Sequence, residues 1–176
     1  MGTKINHEKR VGIETIIAMD ISNSMRAEDI VPSRLDRSKM MIENLVDHFT
    51  NDKIGLIVFA GDAFVQLPIT SDYVSAKMFL SSIDPSMMAT QGTDIARAIE
   101  MASHSFTQEE GIGKAIVVIT DGEDHEGGAV EAAEAAKEHG MRVYVLGVGS
   151  TQGAPIPIAG TGEYMKDNKG TTVMSA

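Results

Sequence analysis

Cysteine is absent from the 176 residues. That removes disulfide scaffolds, thiolate metal sites and cysteine catalysis, and leaves the compartment open. Positive charge is scarce, with 15 Lys and Arg against 25 Asp and Glu and a net charge of -10. Such a balance argues against nucleic acid as a partner, because a phosphate backbone rewards clustered Lys and Arg. Long apolar runs are also missing. The longest, at 54–60, 115–119 and 143–148, fall far short of the roughly 20 residues of a membrane-spanning helix. No signal peptide is visible, and Met1-Gly2-Thr3-Lys4 reads as an added leader, so residues 1–10 are expected to be an N-terminal extension. Any native targeting or membrane segment is then expected outside this chain. What remains is 43% hydrophobic, a globular composition of a length suited to one domain.

Strand and helix signals alternate along that domain, expected to occupy residues 11–150. Apolar runs at 13–19, 54–60, 115–120 and 142–148 read as buried strands. Between them lie amphipathic stretches: one opening at Pro32-Ser33-Arg34 and running to Phe49, one capped by Thr70-Ser71-Asp72, one beginning near Thr93, and an Ala- and Glu-rich one closing at Gly140. The Glu126 to Glu138 stretch reads as a solvated helix face. Residues 63–67 read as a short strand at a sheet edge, ending at Pro68. Continuous apolar strands joined through helices imply crossover connections. The expected fold is therefore α/β: a doubly wound, mostly parallel sheet with one antiparallel edge strand and helices on both faces. The tail from 151 to 176 reads as irregular, with a small hairpin around Asp167-Asn168-Lys169-Gly170.

Three polar clusters follow strand ends or open helices. Asp20, Ser22 and Ser24 offer one carboxylate and two hydroxyls at alternate positions where the first strand stops. Gln91-Gly92-Thr93-Asp94 opens the third helix, and Asp121-Gly122 follows the 115–120 strand. Taken singly, each has a plain reading: Ser22, Ser24 and Thr93 as caps, Asp121 as a turn residue. Together they fall on one edge of a parallel sheet, in the crevice beyond the strand carboxyl ends where such folds bind ligands. An all-oxygen donor set of this kind suits a small hard cation, Mg2+ or Mn2+ in preference to Ca2+.

The pattern Asp-x-Ser-x-Ser, a Gly-Thr loop, and Thr-Asp-Gly after an apolar strand resembles the metal-ion-dependent adhesion site of von Willebrand factor type A domains, over about residues 12–150. Carried over residue by residue, the resemblance implies Asp20, Ser22, Ser24, Thr93 and Asp121 as metal ligands. One position departs from it: Asn23 stands where that family most often has Gly, and Asn tolerates a left-handed backbone. Ala27-Glu28-Asp29, residues 55–62, Leu67-Pro68-Ile69-Thr70 and the 153–158 stretch resemble the bacterial aerotolerance (Bat) subgroup. That resemblance implies no enzymatic activity. It implies a metal-dependent interaction module whose cation takes a Glu or Asp carboxylate from a protein partner. It also implies a periplasmic domain of a membrane-anchored parent in the cell envelope.

Met25, Met87 and Met88 flank the expected site and suit an adaptable binding surface or the core equally. Glu28, Asp29, Asp94, Glu123 and Asp124 make the rim negative, so a partner is expected to surround its carboxylate with basic residues. An aspartyl phosphatase or phosphotransferase would need a second Asp where Ser22 stands. A metal-free scaffold is the other alternative. For a dinucleotide fingerprint after Gly147-Val148-Gly149, Gly153 stands one position late, with Pro155 and Pro157 close behind in place of a helix. The five histidines show no paired ligand spacing.

Overall fold

Each buried apolar run becomes a strand, and each amphipathic run a helix laid across the sheet. The computed structural model describes residues 12–122 and 127–149 and the backbone of strands 163–166 and 172–175. The strands are β1 (Ile13–Asp20), β2 (Lys53–Phe59), β3 (Ala63–Thr70), β4 (Gly113–Thr120), β5 (Met141–Gly147), β6 (Glu163–Lys166) and β7 (Thr172–Ser175). The helices are α1 (Arg34–Asp47), α2 (Tyr73–Ser81), α3 (Ile95–Ser103) and α4 (Ala129–Glu138). Two short 3-10 turns, Asn23–Arg26 and Pro85–Met87, were not expected from the sequence.

One seven-stranded sheet runs in the order β3-β2-β1-β4-β5-β7-β6. Its centre, β2, β1, β4 and β5, is parallel. β3 pairs antiparallel with β2 at one edge, giving the doubly wound, mostly parallel fold and antiparallel edge strand expected. On the other side β7 pairs antiparallel with β5 and with β6. Residues 167–170, where the sequence suggests a turn, lie outside the described residues.

The strands bury both faces. Along β1, Ile16 and Ala18 pack with Ile95, Ala98, Ala132 and Ala136 of α3 and α4. The alternate residues Ile17 and Met19 pack with Leu35, Ile42, Ala76 and Leu80 of α1 and α2. Two cores on one sheet explain why the strands are apolar throughout and lack a period of two.

Some expectations change. β3 continues through Pro68 to Thr70, because an edge strand tolerates a residue without an amide donor. Its ladder to β2 shifts register around Leu56. Met25 and Met88 are buried in the α1/α2 core, while Met87 is 40% exposed. Of the three methionines, two belong to packing and one to the surface.

Gly61 fixes the loop that follows β2. Its N–H donates to the Thr90 carbonyl at 3.0 Å, and a Cβ there would fall 2.1 Å from the Gln91 carbonyl oxygen and 2.7 Å from Thr90 Cγ2. Gly61→Ala is expected to cost about 1–3 kcal/mol by forcing the two backbones apart, read as a shift of the urea unfolding midpoint. Gly127→Ala, where no described atom lies within 4 Å, is the control and should stay within about 0.5 kcal/mol of the parent.

Candidate metal centre

The register of the central strands builds the site. β1 and β4 pair with Met19 opposite Ile119, so the next residues, Asp20 and Thr120, are neighbours at the carboxyl edge. Thr120 Oγ1 donates to Asp20 Oδ2 at 2.5 Å, and Gly122 N–H donates to Thr120 Oγ1 at 3.0 Å. The chain beyond β1 turns at once. Ser22 N–H and Oγ both donate to Asp20 Oδ1, at 2.8 and 2.6 Å, and the hydroxyls of Ser22 and Ser24 lie 3.2 Å apart. Met25, fully buried, plugs this turn into the α1/α2 core. Asn23 starts a 3-10 turn, a right-handed conformation, so the left-handed tolerance of Asn is not needed here.

Asp20 is fully buried. Desolvation pushes its pKa up from the ordinary 3.8 to about 6, and the charge of Asp121 adds to the rise. The hydroxyls of Ser22 and Thr120 and the Ser22 amide oppose it by stabilising the carboxylate. Asp121 follows β4 with its side chain 1% exposed and accepts from Arg34 Nη1 at 2.9 Å. Two buried carboxylates thus sit close enough to feel each other.

Thr93 reaches the same edge from another direction. Asp94 N–H donates to the Ala60 carbonyl at 2.7 Å, and Ile21 N–H to the Phe59 carbonyl at 2.8 Å. These bonds hold both the 90–94 loop and the 20–24 turn against the end of β2. Thr93 is buried but is not the helix cap: Asp94 is, accepting from Arg97 N–H at 3.0 Å. The carboxylate one residue later caps α3, and no hydrogen bond to the Thr93 hydroxyl is found among the described residues. Asp20, Ser22 and Ser24 form one bonded group, with Asp121 joined through Thr120 and Thr93 carried alongside on the β2 end.

Thr120 and Arg34 were missed from the sequence. The first was legible in principle from strand register. The second had one signal: a cation in the first turn of a helix, where the dipole disfavours it. Of the acids expected to make the rim negative, Asp29 pairs with Arg34. Glu123, Asp124 and His125 lie outside the described residues.

The donor set fits a divalent cation in chemistry: two carboxylates and three hydroxyls, all oxygen, gathered where burial already strains the negative charge. Among the described residues no three His, Cys, Asp or Glu side chains form a metal cluster, so a cation held here would take its remaining protein ligands from hydroxyls.

Asp20 also sets a pH dependence. Its folded pKa lies above the unfolded one, so the folded state holds the extra proton and stability falls as pH rises from about 4 to about 6. In chelator, Asp20→Asn is expected to abolish that fall. Its unfolding free energy should gain on the parent by on the order of 3 kcal/mol between pH 4 and pH 7; parallel profiles for the two proteins would contradict this.

The von Willebrand factor type A domain family matches residues 15–123. Among solved structures the chain is similar to the conserved hypothetical protein BatB from Bacteroides thetaiotaomicron. The two are 62% identical with a TM-score of 0.79, over 93% of this chain and 80% of that one. It is similar also to an aerotolerance-related membrane protein from Bacteroides fragilis NCTC 9343, at 60% identity and TM-score 0.77, over 93% and 81% of the two chains. A likeness in fold alone extends to proximal thread matrix protein 1 of the mussel byssus, solved with a zinc-occupied MIDAS motif. That likeness has 21% identity and a TM-score of 0.67, over 80% of this chain and 37% of that one. The chain spans about half the length of the curated relatives it matches. With more than half of its residues inside the match, this protein belongs to the von Willebrand factor type A domain family.

Proposed function

We propose that this domain is a metal-dependent protein-interaction module of the bacterial cell envelope. Asp20, Ser22, Ser24, Thr93 and Asp121 are its cation ligands, and Mg2+ is the ion they suit best. The observation that carries this reading is Asp20. A fully buried carboxylate, already bonded by two hydroxyls and beside a second acid, is expensive unless a cation shares the charge. The ion supplies a Lewis-acid centre that keeps some exchangeable positions, as Mg2+ normally does. In this reading Asp20 and Asp121 balance its charge, while the serines and Thr93 orient it without adding any. A Glu or Asp of a partner completes the shell in a charge-assisted contact.

The reading is non-enzymatic. Ser22 donates to Asp20, whose carboxylate this reading commits to the cation and not to activating a nucleophile. His48, His104 and His139 each place Nδ1 on the carbonyl four residues back at the end of a helix. In a parallel αβ crossover, helix ends lie at the edge remote from the strand carboxyl ends. The envelope setting is supported by the relatives, one of them named as an aerotolerance-related membrane protein. No described helix is long and apolar enough to cross a membrane, so anchoring is assigned to the parent protein.

Thermal unfolding with and without Mg2+ tests the metal half. At about a hundredfold over its dissociation constant, the ion is expected to stabilise the fold by roughly 2.7 kcal/mol, and Asp20→Ala to erase that gain. Equal melting in chelator and in Mg2+ would leave only a metal-free scaffold.

A further inference from the structure

Arg34 ties the candidate site to the start of α1. It is the first residue of α1, after the Ser33 cap, where the helix dipole repels a cation. Its side chain is nonetheless 12% exposed and held on two sides. Nε and Nη2 grip Asp29 Oδ1 and Oδ2 at 2.9 and 3.1 Å, and Nη1 reaches across to Asp121 Oδ2 at 2.9 Å. The backbone N–H of Arg34 donates to the Ala27 carbonyl at 2.8 Å. Gly149 lies so close that a Cβ there would meet the guanidinium at 3.8 Å. The 27–29 loop, the start of α1, the end of β4 and the chain after β5 therefore converge on one cation.

We propose that Arg34 is a resident cation of the centre, competing with the divalent ion for Asp121. The inference rests on the metal-binding reading above. The fork geometry of a guanidinium gives it two carboxylates to serve at once. Asp29 is the exposed one, so it can keep Arg34 when Asp121 turns to a metal. Arg34 thereby lowers affinity by neutralising a ligand. A purely positioning role makes the opposite forecast, because losing the residue that aims Asp121 would weaken the metal.

Titration calorimetry of the purified chain with MgCl2 and with MnCl2 decides between them. Arg34→Gln is expected to bind the ion about tenfold tighter than the parent, the scale of one charge-assisted hydrogen bond. Arg34→Lys, which keeps the charge, should stay near the parent value. Equal or weaker binding by Arg34→Gln overturns the proposal. Should that variant fail to fold, Arg34→Met serves instead: it removes the same cation, the same tighter binding is expected, and an unchanged or weaker constant overturns the idea. Asp20→Ala separates the two layers. Metal binding by the parent that this variant abolishes keeps the site itself, whatever Arg34 does. Binding by neither the parent nor Arg34→Gln overturns both readings.

Discussion

One hydrogen bond joins the two halves of the carboxyl edge: the Thr120 hydroxyl donating to Asp20 across the β1–β4 pair. It exists because the parallel register sets Met19 opposite Ile119 and leaves the following pair side by side. Asp20 sits where no water can solvate it, so its carboxylate depends on such donors. The Ser22 amide and hydroxyl supply the others. Loss of register by one residue would turn Thr120 to the opposite face and leave the acid with fewer partners. The fold and the site are therefore one construction, with strand pairing as the common element.

Much of this was readable from the chain alone. Apolar runs of strand length alternating with amphipathic helices led to a parallel, doubly wound sheet, because both faces of every central strand had to be buried. The spacing of Asp20, Ser22 and Ser24 announced a polar turn at a strand end, and Asp121 another. What escaped was long-range or depended on competition between neighbours. Asp94 took the capping role that Thr93 offers when read singly, because a carboxylate one position later reaches the Arg97 amide. Pro68 did not stop β3 because an edge strand leaves one side of its backbone unpaired. Nothing local in the sequence tied Arg34 to Asp121, which is 87 residues away.

Charge is distributed by depth. The deepest acids, Asp20 and Asp121, face hydroxyls and one guanidinium, whereas the outer ones, Asp29 and Asp62, are answered by Arg34 and Arg97. Within the overall excess of negative charge, Arg34 thus serves an outer acid and a deep one at once, and Asp20 alone of these four has hydroxyls and an amide in place of a cation.

The place of β7 bears on how the chain is made. It pairs along β5 yet follows it by a long stretch of sequence, so on the ribosome β5 emerges first with one flank of amides and carbonyls bare. Until β7 arrives, that flank is a template on which any extended peptide could crystallise a false partner. Completion of the sheet along β5 thereby waits on β7, and nascent copies crowded on one messenger would be the molecules most at risk.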